Sequence, residues 1–238
     1  MQARNEQGTL SSLSTFDPPE QSLENRALDA LMVWLTSRDT PPGAPVPVRE
    51  FAEQLGMSRT PLRTALGRLY QQGLVDYHAQ RGFTVSVPTA KELNELFDVR
   101  LMVERQAIGA LVDRGNPPAV GALRAQADAM TRMVNDVVAR QDAYKSFRLA
   151  DTVFHQAIVD AAQNQRLSAL YRELHLEIHV TRFGWQRDWR TDRFADAANE
   201  HEAIVSALEL GDRVEALTRL DQHINRVRRT ILDGDQTR

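Results

Sequence analysis

Apolar residues recur along the N-terminal part of the chain with the spacing of helices. The first helical pattern opens at Ser22 and stops at the turn-rich residues 40–45, where proline and glycine are concentrated. A second helix is predicted over residues 48–55, and a third from about residue 58 to residue 72. The order of these elements therefore starts with three short helices.

A strand-like period follows the third helix. Alternating apolar residues in the runs 75–77 and 83–87 flank a polar turn at residues 78–82, which predicts a β-hairpin. Three helices and a hairpin form the outline of a winged helix-turn-helix over residues 22–88. Residues 1–21 show neither period, and we expect a flexible tail there.

The chain after Pro88 is predicted to be entirely helical, which gives a second domain over residues 89–238. Thr89 and Glu92 have the spacing of a capping box. The six periodic segments cover about residues 89–114, 118–139, 141–163, 166–189, 192–210 and 212–232. The predicted fold is thus mainly α, with an N-terminal winged helix-turn-helix and a C-terminal six-helix bundle.

Composition narrows the possible functions only a little. The 238 residues are 42% hydrophobic, which suffices for two cores, and the formal net charge is only -3, so any nucleic-acid surface must be local. The absence of cysteine excludes disulfides and thiolate metal sites. No apolar run is long enough to cross a membrane and no secretory leader is recognisable, so we expect a cytoplasmic protein without a membrane partner.

A local excess of positive charge lies in the N-terminal domain. No acidic residue occurs between Glu53 and Asp76, whereas Arg59, Arg63 and Arg68 fall inside this interval. Such a strip is typical of a nucleic-acid surface, although exposed arginines alone are also common as solvated charges.

The third helix has the residue pattern of a helix that enters the major groove. Its predicted buried stripe consists of Leu62, Ala65, Leu66 and Leu69. Arg59, Thr60 and Arg63 then point outward, where hydroxyls can reach phosphates and arginine can bind guanine in bidentate fashion.

The string from Val48 to Leu66 resembles the helix-turn-helix of the GntR family of regulators. The family-like Gly73-Leu74-Val75 and a wing ending in Arg81-Gly82 follow it. The resemblance implies contacts with double-stranded DNA from Arg49, Ser58, Arg59, Thr60 and Arg63, with Arg81 and Gly82 at the wing tip.

Four residues of the C-terminal domain are candidates for binding a metal ion. Asp151 and His155 lie four residues apart on one helix face, and His201 and His223 each fall within an apolar stripe. A single histidine in such a stripe is usually an ordinary core residue. Four inward-pointing residues are different, because a buried carboxylate needs a partner and a divalent cation held by imidazoles supplies one.

The same residues carry a second resemblance, to the FCD effector domain of the FadR-type branch of GntR regulators. The matching segments are residues 151–155, 200–204, 211–212 and 223–224, within a resemblance that covers about residues 89–232. It implies that the metal ligands are Asp151, His155, His201 and His223. Zinc is the first expectation for the ion, with nickel or manganese as alternatives. Six helices rather than seven imply the VanR-like subgroup.

Further residues are candidates for binding an effector. Arg100 and Glu104 lie on the apolar stripe of the first bundle helix, either as a salt bridge or with the arginine available to an effector carboxylate, as in similar domains. His179 and Arg182, near His175, are candidates for lining the same cavity, with an ordinary structural role as the alternative.

These observations predict a regulator that is not an enzyme. We expect a homodimer, functioning as a repressor, that binds a pseudo-palindromic operator and loses or gains affinity when a small organic acid binds at the metal site. Two alternatives remain open: a metal-dependent enzyme, and a sensor for which the cation itself is the signal. The sequence shows none of the common hydrolase or phosphate-binding motifs that an enzyme would use.

Overall fold

The computed structural model describes residues 22–37, 40–139, 143–174 and 192–233. Its N-terminal elements are helices α1 (Leu23–Leu35), α2 (Val48–Leu55) and α3 (Arg59–Gln71), followed by strands β1 (Val75–His78) and β2 (Gly82–Val85). The tail predicted over residues 1–21 lies outside the described residues.

Local chemistry sets the ends of these helices. The Ser22 hydroxyl accepts a hydrogen bond from the Asn25 backbone N–H at 3.2 Å and so caps α1. Gly56 ends α2 with a left-handed φ of 62°, a conformation that glycine adopts at little cost. The three helices and the hairpin share one core, which includes Ala27, Leu31, Leu35, Phe51, Leu62, Leu66, Leu69 and Val85.

The hairpin carries an additional backbone partner that the sequence pattern did not reveal. β1 and β2 pair antiparallel with Val75 opposite Val85. We predicted only a turn at residues 40–45, but Pro45 forms an isolated bridge to Thr84 on β2. The reason is that β2 has unpaired backbone groups on the side away from β1, and the neighbouring stretch satisfies them.

Helices make up all the described secondary structure after the hairpin. They are α4 (Ala90–Arg114), α5 (Pro117–Ala139), α6 (Ala143–Ala161), α7 (165–174), α8 (Asp192–Glu209) and α9 (Arg213–Asp233). Thr89 and Glu92 form the predicted capping box at the start of α4. α6 ends two residues earlier than predicted, since Gln163 takes a positive φ of 53° and the Asn164 side chain caps α7.

Five of these helices close a ring. α4 packs on α6 and α9, α5 packs on α6 and α8, and α8 packs on α9. Their apolar faces form a second core, distinct from that of the hairpin region and centred on residues such as Phe97, Phe154, Ile158, Ile204 and Leu220. The predicted fold class, a winged helix-turn-helix plus an all-helical bundle, is confirmed. Within the described residues, no helix is both long enough and apolar enough for a membrane span.

Candidate metal centre and nucleic-acid interface

The four predicted metal ligands meet inside the helical ring. α6 contributes Asp151 and His155, α8 contributes His201, and α9 contributes His223. All four are buried, and one potential ligand atom from each lies within 4.8 Å of the others. Three helices therefore bring together residues that are up to 72 positions apart in the sequence.

The three imidazoles face one another through the same ring nitrogen. His155 Nε2 lies 3.0 Å from His223 Nε2, and His201 Nε2 lies 3.2 Å and 3.3 Å from these two atoms. Asp151 Oδ1 completes the group at 3.5 Å from His201 Nε2 and 3.9 Å from His155 Nε2. The result is a compact cluster of three nitrogens and one oxygen.

Two glutamates orient two of the imidazoles through the ring nitrogen that faces away from the cluster. Glu104 Oε2 lies 2.7 Å from His155 Nδ1, and Glu200 Oε2 lies 2.7 Å from His223 Nδ1. An ionised carboxylate can only accept, so each Nδ1 carries the proton and donates. In the neutral imidazoles both Nε2 atoms then present lone pairs to the centre of the cluster.

Both glutamates are held in the ionised form. Burial opposes the charge of Glu104, but the charges and hydrogen bonds of His155 and Arg100 outweigh it and lower the pKa of this carboxyl. Burial likewise opposes the charge of Glu200, whereas hydrogen bonds from His223 and Arg226 lower its pKa to about 2. Arg226 donates to both oxygens of Glu200, at 2.5 Å and 2.7 Å.

Two of these histidines, His201 and His223, are held in the neutral form that binds metals. Burial is the main reason that the pKa of His201 lies well below its ordinary value, and the neighbouring histidines add to it. Burial also lowers the pKa of His223 to about 4, against the opposing effect of Glu200. Since two lone pairs facing each other at 3.0 Å repel, a cation between them fits this donor set.

The distances in the cluster suit a first-row divalent ion. With metal–nitrogen bonds of about 2.0–2.1 Å, neighbouring ligand atoms are about 3.3 Å apart in a tetrahedral site and about 3.0 Å apart in an octahedral one. The observed nitrogen separations of 3.0–3.3 Å lie in this range. Carboxylate–histidine–metal arrangements of the kind that Glu104 and Glu200 would complete are common behind such ions.

Arg100 lies beside this cluster and is fully buried. Its Nε donates to Glu104 Oε1 at 2.7 Å, so the predicted salt bridge is present. Its Nη1 and Nη2 have no hydrogen-bond partner among the described residues. Tyr171 also donates to Glu104 Oε1, at 2.6 Å, which leaves the glutamate fully engaged. His179 and Arg182 lie outside the described residues.

Sequence reasoning missed three contributors to this site. Glu200, Arg226 and Tyr171 act through other residues, and their partners are on different helices. The position of Glu200 directly before His201 gave no signal, because it orients the histidine of α9 and not its neighbour. A helical stripe identifies an inward face but not the partner across the bundle.

The exposed face of α3 is basic at its N-terminal end. Leu62, Ala65, Leu66 and Leu69 are buried as predicted. Arg59, Thr60 and Arg63 are exposed. Ser58 precedes the helix without a side-chain capping bond, so its hydroxyl points to no helix amide.

The remaining predicted DNA-contacting residues lie on α2 and in the hairpin. Arg49 on α2 is exposed and forms an ion pair with Glu53 at 2.9 Å. Arg81 is exposed in the hairpin turn, and Gly82 has a positive φ of 74° that suits glycine. Arg68, by contrast, is paired with Glu24 of α1. Within the part of the chain that the structure describes, Arg59, Arg63 and Arg81 form no ion pair with an acidic residue.

Comparisons with known families match both halves of the chain. Residues 23–85 match the family described as bacterial regulatory proteins, gntR family, and residues 95–226 match the FCD domain. The second match alone covers more than half of the chain. Proteins with these domains are DNA-binding transcription regulators, and FCD domains can bind metal.

Known transcription regulators are similar to this chain along most of their length. The chain is 30% identical over 203 residues to the "Probable D-xylose utilization operon transcriptional repressor" of Paenarthrobacter nicotinovorans, covering 85% of this chain and 86% of the relative. It is 29% identical to the Nta operon transcriptional regulator of Aminobacter aminovorans, covering 78% and 85%.

A solved structure shows the same fold. E. coli McbR/YncC superposes with a TM-score of 0.75 at 20% identity, covering 90% of this chain and 99% of that one. At this identity the likeness concerns the fold alone.

Proposed function

This chain belongs to the GntR family of DNA-binding transcription regulators, and from this premise we propose that a divalent cation and a small organic acid, bound together in its FCD domain, control its affinity for DNA. The family and the relatives are regulators and not enzymes, so the enzymatic alternative is set aside. The DNA would bind to the domain over residues 22–88, and the cation and the acid to the domain over residues 89–238.

The observation that carries the proposal is the meeting of three Nε2 atoms and one carboxylate in a buried space. Asp151, His155, His201 and His223 would hold the cation, and zinc suits three nitrogens and one oxygen best, with nickel or manganese as alternatives. A cation held there would supply the positive charge that attracts a carboxylate oxygen of the effector. Glu104 and Glu200 keep the imidazoles oriented toward it.

The effector is proposed to be a small carboxylate because of Arg100. Burying a guanidinium is costly when two of its nitrogens find no partner among the described residues, and an effector carboxylate placed against Nη1 and Nη2 would remove that cost. Glu104 takes part by orienting Arg100 and His155. His179 and Arg182 stay proposed as cavity-lining residues.

The DNA-binding half is proposed to act as a homodimer on a pseudo-palindromic operator, as GntR regulators typically do. Arg59, Thr60 and Arg63 would enter the major groove. Arg49 and Ser58 would contact the backbone, with Arg81 and Gly82 near the minor groove. Repression is the favoured outcome, since the relative from Paenarthrobacter nicotinovorans is named a repressor.

An effector can change DNA affinity only if it binds one arrangement of the protein better than the other. The site joins α4, α6, α8 and α9, so any shift of these helices relative to one another changes its geometry. Binding at the site thereby selects among arrangements of the bundle.

A test of the metal site uses the full chain and a matched pair of variants. His201→Ala removes a buried ligand, and His78→Ala removes an exposed histidine. We expect about one zinc per chain in the wild type and in His78→Ala, and none retained by His201→Ala after dialysis. Equal zinc content in all three proteins would overturn the metal assignment.

The same samples separate effector sensing from metal sensing. Operator duplexes are first selected from random DNA, and their affinity is then measured with and without chelator and with a panel of small carboxylic acids. We expect a carboxylate to change operator affinity only in the zinc-loaded protein. If chelation alone releases DNA and no acid has an effect, the cation itself is the signal.

The role of α3 in DNA binding is tested with the variant Arg63→Ala. Loss of a base contact should weaken operator binding by about 1–3 kcal/mol. Arg132→Ala, on the exposed surface of α5, serves as the control and should bind as the wild type does. Unchanged affinity in Arg63→Ala would remove this residue from the interface.

A further inference from the structure

We propose that Thr64 of α3 contributes to the choice of operator sequence by contacting the methyl group of a thymine. This role rests on the proposed function, in which α3 lies in the major groove, and it adds the base that one residue of the helix recognises. Thr64 is exposed and directly follows Arg63. The DNA contacts that the family resemblance implies do not include it.

Thr64 lies on the side of α3 that is turned away from the core. Four buried residues mark the inner side of the helix, and these are Leu62, Ala65, Leu66 and Leu69. At about 100° per residue, Thr64 is within about 30° of the direction opposite to their mean. When a helix lies in the major groove, this outer side faces the edges of the base pairs.

Thr64 also lies near the end of the helix that contacts bases. It is the sixth residue of α3, which begins at Arg59. Helical side chains tilt toward the N-terminus, so the Thr64 side chain covers the surface around Thr60, one turn earlier. Recognition helices contact base edges mainly with their N-terminal residues. Thr64 is therefore within the part of α3 where base contacts occur.

The hydroxyl of Thr64 is already engaged within the helix. Thr64 Oγ1 donates to the Thr60 carbonyl at 3.2 Å. A hydroxyl carries one proton, so none is left to donate to a phosphate or to an acceptor on a base. The other branch of the side chain is a methyl group, and apolar contact between a threonine methyl and the thymine methyl is one way of recognising thymine in the major groove. The side chain is therefore suited to thymine.

Threonine is an unfavourable residue for the interior of α3. A β-branched side chain loses rotational freedom in a helix, and a hydroxyl that bonds to the preceding turn weakens the helix slightly. Gly67, on the same outer side, is less favourable still, and a Cβ added there would meet no described atom within 4 Å. Folding therefore requires neither residue at these positions. Their small size leaves room beside Arg63 for the edge of a base pair.

The test replaces each thymine of the operator in turn by uracil, which lacks only the methyl group at C5. Full-length protein is titrated with fluorescent duplexes of the operator selected from random DNA, at one salt concentration because DNA affinity depends on it. The loss of one buried methyl contact corresponds to about fourfold in affinity for one half-site and about 15-fold when both half-sites are changed. We expect this loss for the wild type at one thymine of each half-site.

Two substitutions of Thr64 separate its methyl group from its hydroxyl group. Thr64→Ser keeps the hydroxyl and loses the methyl, so it should bind the thymine and uracil duplexes equally at that position. Thr64→Val keeps a methyl branch and loses the hydroxyl, so it should retain the preference for thymine. A preference that persists in Thr64→Ser or disappears in Thr64→Val would overturn the methyl contact.

Two controls address other causes of the same result. Thr131→Ser makes the same substitution at an exposed position of α5 and should keep the wild-type preference. Thr60→Ser tests the nearest rival, because Thr60 is also exposed on the outer side of α3. If the preference disappears in Thr60→Ser and persists in Thr64→Ser, the contact belongs to Thr60 and the role of Thr64 is wrong. A wild type that loses no affinity at any uracil also contradicts this role.

The outcomes distinguish the thymine contact from the proposed function. If Arg63→Ala weakens operator binding but no preference for thymine depends on Thr64, the thymine contact is overturned and the placement of α3 in the major groove stands. If neither Arg63→Ala nor Thr64→Ser changes operator binding, α3 does not lie in the groove, and both fail together.

Discussion

At the scale of single residues, the site depends on groups that never touch the proposed ion. Glu200 lies only partly buried between His223 and Arg226, and it fixes which nitrogen of His223 faces the cluster. Residues in such positions typically change metal affinity when they are replaced, although they are not ligands.

Glu200→Gln should weaken zinc binding by about 10–100-fold, because an amide holds the Nδ1 proton of His223 less firmly than a carboxylate does. Competition with a coloured chelator measures the affinity. Glu202→Gln is the matched control on the same helix, since Glu202 accepts from Thr131 at the surface. An equal loss of zinc affinity in both variants would show a general effect on α8 and would contradict the specific role of Glu200.

The metal-free protein should lose stability as the pH falls from about 6.5 to about 4. Burial holds the pKa of His223 at about 4, below its ordinary 6.5, so in this range only the unfolded chain takes up the proton. His201 shifts in the same direction. The stabilisation is complete above pH 6.5 and is lost progressively below it.

The measurement is urea unfolding at several pH values in the presence of chelator. His223→Gln should reduce the slope by about 1.4 kcal/mol per pH unit, the value for one proton. His78→Gln, at an exposed position, should leave the slope unchanged. A wild-type stability that is flat over this range would refute the burial argument.

At the scale of elements, α4 and α6 place the chemistry. α4 carries Arg100 and Glu104 one turn apart, and α6 carries Asp151 and His155 with the same spacing, so each helix presents a pair to the interior. The start of α4 directly follows the hairpin region and is fixed by the capping box at Thr89. The capping box of Thr89 and Glu92 thus fixes where the first helix of the bundle begins.

Thr89→Ala should destabilise the helical domain by about 1 kcal/mol, because the Glu92 backbone N–H loses its partner. In a domain of this size the melting temperature should fall by about 2–4 °C. Thr218→Ala is the control, since the Thr218 hydroxyl donates to the Val214 carbonyl within α9 and caps no helix end. A loss in Thr218→Ala as large as in Thr89→Ala would contradict the capping argument.

At the scale of the whole molecule, the described residues form two separate hydrophobic cores. One is formed by residues between Ala27 and Val85, and the other by residues between Leu93 and Ile231. The four proposed metal ligands lie on helices of the second core. A cation bound there would stabilise the folded form of that core directly.

Calorimetric unfolding of the full chain should therefore show two transitions, of which only one moves when zinc is added. At a free zinc concentration of about 100 times the dissociation constant, the stabilisation is about 2.7 kcal/mol. In His201→Ala neither transition should move. Equal shifts of both transitions in the wild type would show that the two cores unfold as one unit and would contradict the separation.

The sequence by itself determined the elements and their inward faces. Periodicity places Asp151, His155, His201 and His223 on the apolar side of their own helices, and caps such as Ser22, Thr89 and Gly56 mark helix ends, since both depend on neighbours a few residues away. The family resemblance carried by residues 48–66 and 151–155 is confirmed by the comparisons.

Only the tertiary structure decided which inward residues meet. The pairing of Glu104 with His155, of Glu200 with His223, and the 3.0 Å approach of two imidazoles depend on how far each helix is rotated and shifted against the next. Periodicity leaves those two quantities undetermined, because it refers each side chain to its own helix axis. They are set by the packing of side chains across the ring, between residues far apart in sequence.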